Sequence, residues 1–106
     1  MAARRDIVIE RIRTLLEALN KGNGTPSRER IESTLTEGYA EALALDGERL
    51  RLERKIDDVT AHLASGGRSR LEELQRVMAR LESTEQDLAD LRELLSSLRN
   101  RGARAA

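Results

Sequence analysis

The predicted fold depends on the stretch SGGRSRLE, residues 65–72 of this 106-residue chain. Gly66 and Gly67 interrupt a long run of helix-forming residues, and Ser69 followed by Glu72 has the capping-box pattern that starts a new helix. Because the connection is only about four residues long, the helices on either side must fold back antiparallel to each other. The stretch therefore predicts a helical hairpin.

The helices on both sides of this turn carry apolar stripes with the 3-4 spacing of a coiled coil. A hairpin in which facing residue numbers sum to 133 puts apolar side chains opposite each other throughout. The facing pairs are Leu35 and Leu98, Gly38 and Leu95, Ala42 and Leu91, Leu45 and Leu88, Leu52 and Leu81, Ile56 and Val77, and Val59 and Leu74. The two stripes thus agree on one register, and this register requires the helix to continue through Gly47.

A third, shorter helix is predicted before the hairpin, because Val8, Ile12, Leu15 and Leu19 recur on one helical face. Thr25 and Pro26 are predicted as the N-cap and first residue of the second helix. The predicted helices cover residues 6–19, 26–64 and 69–100, and residues 101–106 are expected to fray. The fold class is all-α: an antiparallel two-helix coiled-coil hairpin with a short N-terminal helix packed on it, forming a single helical domain over residues 1–106.

The composition excludes several classes of protein. The chain has no cysteine, one histidine and one aromatic residue, so a disulfide framework or a Cys- or His-rich metal site is not available. No apolar run is long enough for a signal peptide or a membrane span, and we expect a cytoplasmic protein without cofactor or metal. We also expect no enzymatic activity, because a slender hairpin offers no pocket with converging catalytic groups.

The charges balance overall, at 19 basic and 19 acidic residues, but they are unevenly distributed. Residues 31–90 hold 14 acidic and 8 basic side chains, whereas residues 1–30 and 91–106 are each net basic by three. The basic residues at the termini alternate with acidic ones, and no aromatic stacking platform accompanies them. This pattern argues against nucleic acid as a partner.

One charged residue occupies the coiled-coil seam, where Arg49 falls opposite Thr84. We expect the guanidinium to find carboxylates within a turn of this layer, the candidates being Glu48, Glu53, Glu82 and Glu85. Two interpretations stay open. The layer either fixes the register, as a polar seam residue does, or forms an anion- or partner-binding site halfway along the hairpin.

Further apolar residues lie outside the matched stripes. We expect the first helix to cover Tyr39 and Leu43, with Val8, Ile12, Leu15 and Leu19 packed against them and the Ile31–Leu35 turn. Exposed apolar residues of this kind form either an interface, most simply a homodimer, or an ordinary scatter of surface leucines. The candidate interface residues are Ile9, Leu16, Tyr39, Leu43, Leu50, Leu71, Met78 and Leu94.

Residues 28–43, together with a following helix that contains Arg49 and Asp57, resemble the actinobacterial coiled-coil anti-sigma factors that bind cyclic di-GMP. The family's ligand motif, E-x3-S-x2-R-x3-Q-x3-D, aligns so that Arg49 and Asp57 match, while Ala42, Asp46 and Glu53 differ. The 17 arginines against 2 lysines also suit an actinobacterial genome. The resemblance implies a helical hairpin and a regulator whose Arg49 and Asp57 bind a small-molecule nucleotide.

We therefore predict a small non-enzymatic protein-protein interaction or adaptor protein that acts by helix packing on a partner or on itself. The alternative is an anti-sigma-type transcriptional regulator gated by an anionic nucleotide second messenger. The sequence identifies neither the partner nor the biological process.

Overall fold

The computed structural model describes residues 4–22 and 24–105. In these residues it contains three α-helices and no strand: α1 at Arg4–Lys21, α2 at Arg28–Ala61 and α3 at Leu63–Ala105. The all-α class is confirmed. Each helix nevertheless begins or ends at a different residue from the prediction, and the differences have local causes.

The segment between α1 and α2 ends one helix with glycine and starts the next with serine. Gly22 and Gly24 both have positive φ, at 66° and 67°, a conformation that glycine adopts without steric cost. The Ser27 Oγ accepts a hydrogen bond of 3.1 Å from the backbone N–H of Arg30, so Ser27 is the N-cap of α2. The predicted cap at Thr25 and helical start at Pro26 are therefore wrong by two residues.

The predicted continuity of α2 through Gly47 is confirmed, since this residue lies within the helix. At its C-terminal end α2 stops at Ala61, three residues before the predicted end, and only His62 separates it from α3. The chain then makes a helical segment up to Gly66, and Gly67 leaves the helical conformation at φ 59° and ψ −143°. Gly67 therefore supplies the break that the Gly66-Gly67 pair predicted, because its backbone needs a left-handed φ.

The C-terminal segment is helical through Ala105, so the prediction that it frays is wrong for residues 101–105, and Ala106 lies outside the described residues. Gly102 is buried, and a Cβ built on it would lie 3.0 Å from Ile31 Cγ2. The last turns of α3 are therefore held by close packing on α2. The missing side chain of Gly102 permits that approach.

The chain comprises two compact units. Unit 1 comprises Met1–Leu43 and Ala89–Ala106, and unit 2 comprises Ala44–Leu88. Unit 1 thus contains α1, the first half of α2 and the second half of α3. Unit 2 contains the remaining halves of α2 and α3.

Unit 1 is a three-helix arrangement with a closed apolar core. Arg4 pairs with Glu41 at 3.6 Å and Arg11 with Glu37 at 2.7 Å, so α1 runs antiparallel to α2. A Cβ on Gly38 would overlap Leu95 Cδ2 and lie 3.3 Å from Ile12 Cδ1, which confirms the predicted facing of Gly38 and Leu95. The buried apolar residues of the unit are Val8, Ile12, Leu15, Ile31, Ala42, Leu91, Leu95 and Leu98.

Unit 2 is the predicted two-helix hairpin, and its core is thinner. Glu48 pairs with Arg80 at 2.9 Å and Lys55 with Glu73 at 3.6 Å, which fixes the antiparallel direction. Its buried residues are Leu45, Val59, Thr84 and Leu88. The other seam residues are only half-buried, because two helices cannot enclose them; they are Leu52, Ile56, Leu63, Leu74, Val77 and Leu81.

Candidate functional site

The half-buried seam of unit 2 opens into a shallow groove of about 510 Å³ between α2 and α3, which we call the acidic groove. Ile56 and Leu81 come from the predicted stripes, and Met78 lies beside them with 53% of its surface exposed. Two glutamates from α3 complete one end of the lining. The full lining is Ile56, Gln75, Met78, Ala79, Leu81, Glu82 and Glu85.

Ion pairs between the two helices lie away from this groove. At about 100° per residue, Met78 is roughly 140–160° around the α3 axis from Glu73 and Arg80, which pair with α2. The two helices of unit 2 are thus linked by charge along one edge. The edge that carries Met78 is open.

The glutamates of the groove have no such partners. Glu82 and Glu85 are exposed, and within the described part of the chain neither makes a hydrogen bond or an ion pair. Three residues apart, they lie on one face of α3. The groove therefore combines apolar surface with two carboxylates that form no ion pair within the described part of the chain.

Arg49 is half-buried, and its hydrogen-bond partners are on its own helix. Its guanidinium donates hydrogen bonds of 2.9 and 3.0 Å to Asp46 and one of 2.6 Å to Glu53. Of the four predicted carboxylates only Glu53 is confirmed, because a neighbour three or four residues away on the same helix is reached without crossing the seam. Asp46 precedes Arg49 by three residues on the same helix, and this spacing could have identified it as a partner of Arg49. Arg49 is thus held by two carboxylates within α2.

Hydrogen bonding to Asp46 raises the pKa of the Arg49 guanidinium, and the negative charges of Asp46 and Glu53 add to the shift, while desolvation opposes it. A raised pKa in the folded state stabilises the fold at every pH below the unfolded-state value. That contribution is lost only as pH rises through the folded-state pKa, in strongly alkaline solution. Arg49 therefore remains charged, and its pairs remain formed, throughout the neutral range.

The other two residues predicted to share a site with Arg49 do not join its cluster. Thr84 is buried at 4% exposure in the core of unit 2. Asp57 is exposed and lies two helical turns beyond Arg49 on α2. The structure therefore brings Arg49 together with Asp46 and Glu53 rather than with Asp57.

In unit 1 the predicted cover of Tyr39 and Leu43 is wrong, since they are 45% and 74% exposed. The ion pairs of α1 go to Glu37 and Glu41, and Ile12 lies near Gly38, so α1 packs on a neighbouring face of α2. Tyr39 and Leu43 follow Gly38 and Ala42 by one residue each, about 100° around the helix axis. Burial of Val8, Ile12 and Leu15 is confirmed; their packing on Tyr39 and Leu43 is not.

The remaining candidate interface residues differ in exposure. Leu50 and Leu71 are 41% and 46% exposed in unit 2, whereas Ile9, Leu16 and Leu94 in unit 1 are half-buried. The sequence analysis missed Ile7, which is 46% exposed although it lies beside the buried Val8. Ile7 lies one residue away from the apolar stripe of α1, and this position could have indicated that its side chain is exposed.

Unit 1 also contains a cavity of about 420 Å³ between the first turns of α2 and the last turns of α3. Pro26, Ile31 and Leu35 give it an apolar lining, and Arg99 lies at its edge. Its other arginine, Arg28, is paired with Glu32 at 3.1 Å. The rest of its lining is Thr25, Glu32, Gly102 and Ala103.

In the described residues no group of three or more potential metal ligands comes together. The same part of the chain contains no helix that is both long and apolar enough to cross a bilayer. His62 is an exposed residue whose Nδ1 lies 2.9 Å from the Asp58 carbonyl oxygen, so it is engaged in a local contact at the hairpin turn.

Comparison with known proteins finds no matching family model, no matching curated protein and no matching solved structure.

Proposed function

We propose that this chain is a small non-enzymatic protein-protein interaction protein of the cytoplasm, which packs its helices against a protein partner or a second copy of itself. The observation that supports the proposal most directly is the exposed apolar surface of unit 2. Leu50, Leu71 and Met78 are each more than 40% exposed, and the seam beside them is only half-buried. Burying such surface is the principal driving force of association.

The mechanism is the addition of one or more helices to the two-helix unit. Each large apolar side chain that goes from exposed to fully buried contributes about 1.5–3 kcal/mol, and because association itself costs at least about 4 kcal/mol, several of them must be buried together. Arg49 takes a structural part in this mechanism. Its bonds to Asp46 and Glu53 hold a charged residue at the edge of the seam.

The proposal is tested by light scattering of the purified chain from one to one hundred micromolar, combined with capture of partners from the native cytoplasm. Met78→Glu places a charge on the exposed surface, and we expect it to abolish self-association or partner capture. Ser83→Glu is the matched control, because it adds the same charge at an exposed α3 position outside the groove. A wild-type chain that stays monomeric and captures nothing beyond what Met78→Glu captures would refute the proposal.

The nucleotide-gated regulator stays a prediction from the sequence resemblance. It requires Arg49 to exchange its bonds with Asp46 and Glu53 for bonds to an anionic ligand. Isothermal titration with cyclic dinucleotides tests it, with Arg49→Leu as the variant that would lose binding. Absence of a binding heat with the wild-type chain would end this interpretation.

A further inference from the structure

We propose that unit 1 binds a phosphate group, free or carried by a small molecule, in a cavity between α1 and the first turns of α2. The cavity has a volume of about 250 Å³, and we call it the hydroxyl cavity. Its lining is Arg11, Leu15, Arg30, Ser33, Thr34 and Glu37. The site lies in a different unit from the exposed surface of the proposed function, so it adds a second activity to that function.

Helical spacing brings the lining of the hydroxyl cavity together. Its four α2 residues are related by steps of three and four along the sequence, so they lie on one face of that helix. On α1, Arg11 and Leu15 are four residues apart and also share a face. The ion pair of 2.7 Å between Arg11 and Glu37 joins the two faces. Polar side chains from two helices therefore converge on one cavity.

The hydroxyl of Thr34 is the feature that points to a ligand. Thr34 is only 6% exposed, and its hydroxyl makes no hydrogen bond within the part of the chain that the structure describes, although buried hydroxyls normally have a partner. In the same residues no side-chain oxygen is both sealed from solvent and unbonded, so the small exposed area of Thr34 includes its Oγ1. Because Thr34 lines the hydroxyl cavity, this oxygen opens into it. Thr14 and Thr36, in contrast, donate to carbonyl oxygens of their own helices.

The other polar side chains of the cavity supply further donors. Arg30 lies in the first turn of α2, and its guanidinium makes no ion pair with any described residue. The exposed hydroxyl of Ser33 is also unbonded among these residues. Arg11 donates to Glu37 through Nη1 and keeps its remaining N–H groups for a ligand. The one carboxylate of the lining, Glu37, is thereby neutralised by its own pair.

This set of groups selects an oxyanion. Guanidinium groups donate and cannot accept, and they bind phosphate oxygens well, often in pairs. Two arginines against one glutamate give the lining a net positive charge, which disfavours a metal cation. The volume is also below the range of about 300–1,000 Å³ that is typical of sites for drug-sized ligands, so the ligand is small.

The test is a titration of the full-length ¹⁵N-labelled protein with inorganic phosphate. The reporters are the amide signals of Ser33 and Thr34 and the side-chain Nε–H signal of Arg30, and sodium chloride at equal ionic strength measures the effect of salt alone. We expect shifts that saturate with phosphate and not with chloride. The Kd should be on the order of 1 mM, because both arginines are exposed to water.

A parallel titration with phenyl phosphate distinguishes the two sources of the phosphate group. Its ring can pack on Leu15, the apolar residue of the lining. Tighter binding than that of inorganic phosphate would indicate a phosphate monoester as the ligand, and equal or weaker binding would indicate free phosphate.

Two variants remove single donors from the cavity. Thr34→Val removes the hydroxyl and keeps nearly the same shape, so phosphate binding should weaken roughly 2- to 13-fold, as for the loss of one hydrogen bond. Its thermal unfolding midpoint should not fall, because this hydroxyl has no partner among the described residues. Arg30→Gln should weaken binding at least as much. The matched controls are Thr36→Val and Arg13→Gln, at exposed positions of unit 1 outside the cavity, and both should bind phosphate as the wild type does.

Three results would overturn the inference. Without a phosphate-specific shift, the cavity holds water only. Equal weakening by Arg13→Gln and Arg30→Gln would show general attraction to basic surface. Wild-type binding by Thr34→Val, with circular dichroism confirming that it is helical, would mean that the buried hydroxyl belongs to no site. None of these results bears on the proposed function, which Met78→Glu tests in unit 2.

Discussion

The two units use the same pair of helices, α2 and α3, and differ in what surrounds the seam between them. In unit 1 Leu91 and Leu98 are 0% exposed and Leu95 is 2% exposed. In unit 2 Leu52, Ile56 and Leu81 occupy the same kind of seam position and are only half-buried. Leu45, Val59 and Leu88 are buried in unit 2 as well, but the seam residues between them lack the third helix that covers the seam of unit 1.

The comparison shows that an identical heptad pattern has different energetic consequences in different surroundings. A seam leucine that a third helix covers is removed from water completely, whereas one at an open edge keeps part of its surface hydrated. The same openness makes unit 2 the region available for binding. Four sets of substitutions test this difference, and we describe them from the largest expected effect to the smallest.

Ile12→Asp should remove the cover from unit 1. The side chain is 0% exposed, and an unpaired buried carboxylate costs about 3–5 kcal/mol, in addition to the apolar burial that the substitution removes. We expect α1 to detach, with fast amide hydrogen exchange over residues 4–21. Residues 44–88 should keep their exchange rates.

Thr14→Asp is the control for this change, since it adds the same charge at an exposed position of α1. If Ile12→Asp left the exchange of α1 as slow as in this control, the third helix would not depend on the core contact that distinguishes the units.

Truncation of one seam leucine in each unit compares their cores directly. Leu91→Ala should destabilise the protein by about 2–5 kcal/mol, because a fully buried leucine leaves a cavity. Leu52→Ala in unit 2 should cost about 1–2 kcal/mol, since its surroundings are half-exposed. Urea unfolding followed by circular dichroism measures both. Equal losses would contradict the difference in burial.

Glycine-to-alanine changes should act in opposite directions in the two units. In Gly38→Ala the new methyl overlaps Leu95, and overpacking of about 1–3 kcal/mol outweighs the gain in helix propensity. In Gly47→Ala the nearest atom outside the local backbone is Arg51 Nη1 at 3.6 Å, an ordinary contact, so the protein should gain about 0.5–1 kcal/mol. Thermal unfolding midpoints should therefore fall for the first variant and rise for the second. A rise for both would show that Leu95 moves aside.

The surface ion pairs should give the smallest effects and no clear difference between the units. Arg11→Ala removes the pair with Glu37 in unit 1, and Arg80→Ala removes the pair with Glu48 in unit 2. Each arginine is more than half exposed, so we expect a loss of about 0.2–1 kcal/mol that shrinks as salt is added. A loss of several kcal/mol at either position would mean that charge, rather than apolar packing, holds the helices together.

Much of the fold could be predicted from the sequence, because helical periodicity and heptad spacing are local and repeat many times. The facing of Gly38 and Leu95, the continuity through Gly47 and the break at Gly67 were all predicted. Helix ends were predicted less well. Ser27 and Thr25 are both of residue types that cap helices, and only the path of the backbone decides which of them caps α2.

The candidate site was predicted in part. Met78, Leu71 and Leu50 are exposed as an interface requires. Of the carboxylates predicted for Arg49, Glu82 and Glu85 lie on the other helix and Glu48 pairs with Arg80 instead, since a stripe gives the position of a side chain and not the direction in which it reaches. The sequence prediction also placed α1 on Tyr39 and Leu43, which are exposed in the structure. Successive residues of a helix lie about 100° apart around its axis, so an error of one residue on α2 moves the predicted contact to a different face.

The sequence by itself determined that this chain is helical, where it turns back and that Gly38 of α2 faces Leu95 of α3. These properties follow from backbone propensity and from a periodicity that only one register satisfies. The tertiary structure decided which seam residues are closed from solvent, which face of α2 receives α1 and which carboxylates remain without a cation. Such properties depend on the contacts that distant segments make, and a pattern along one helix does not encode them.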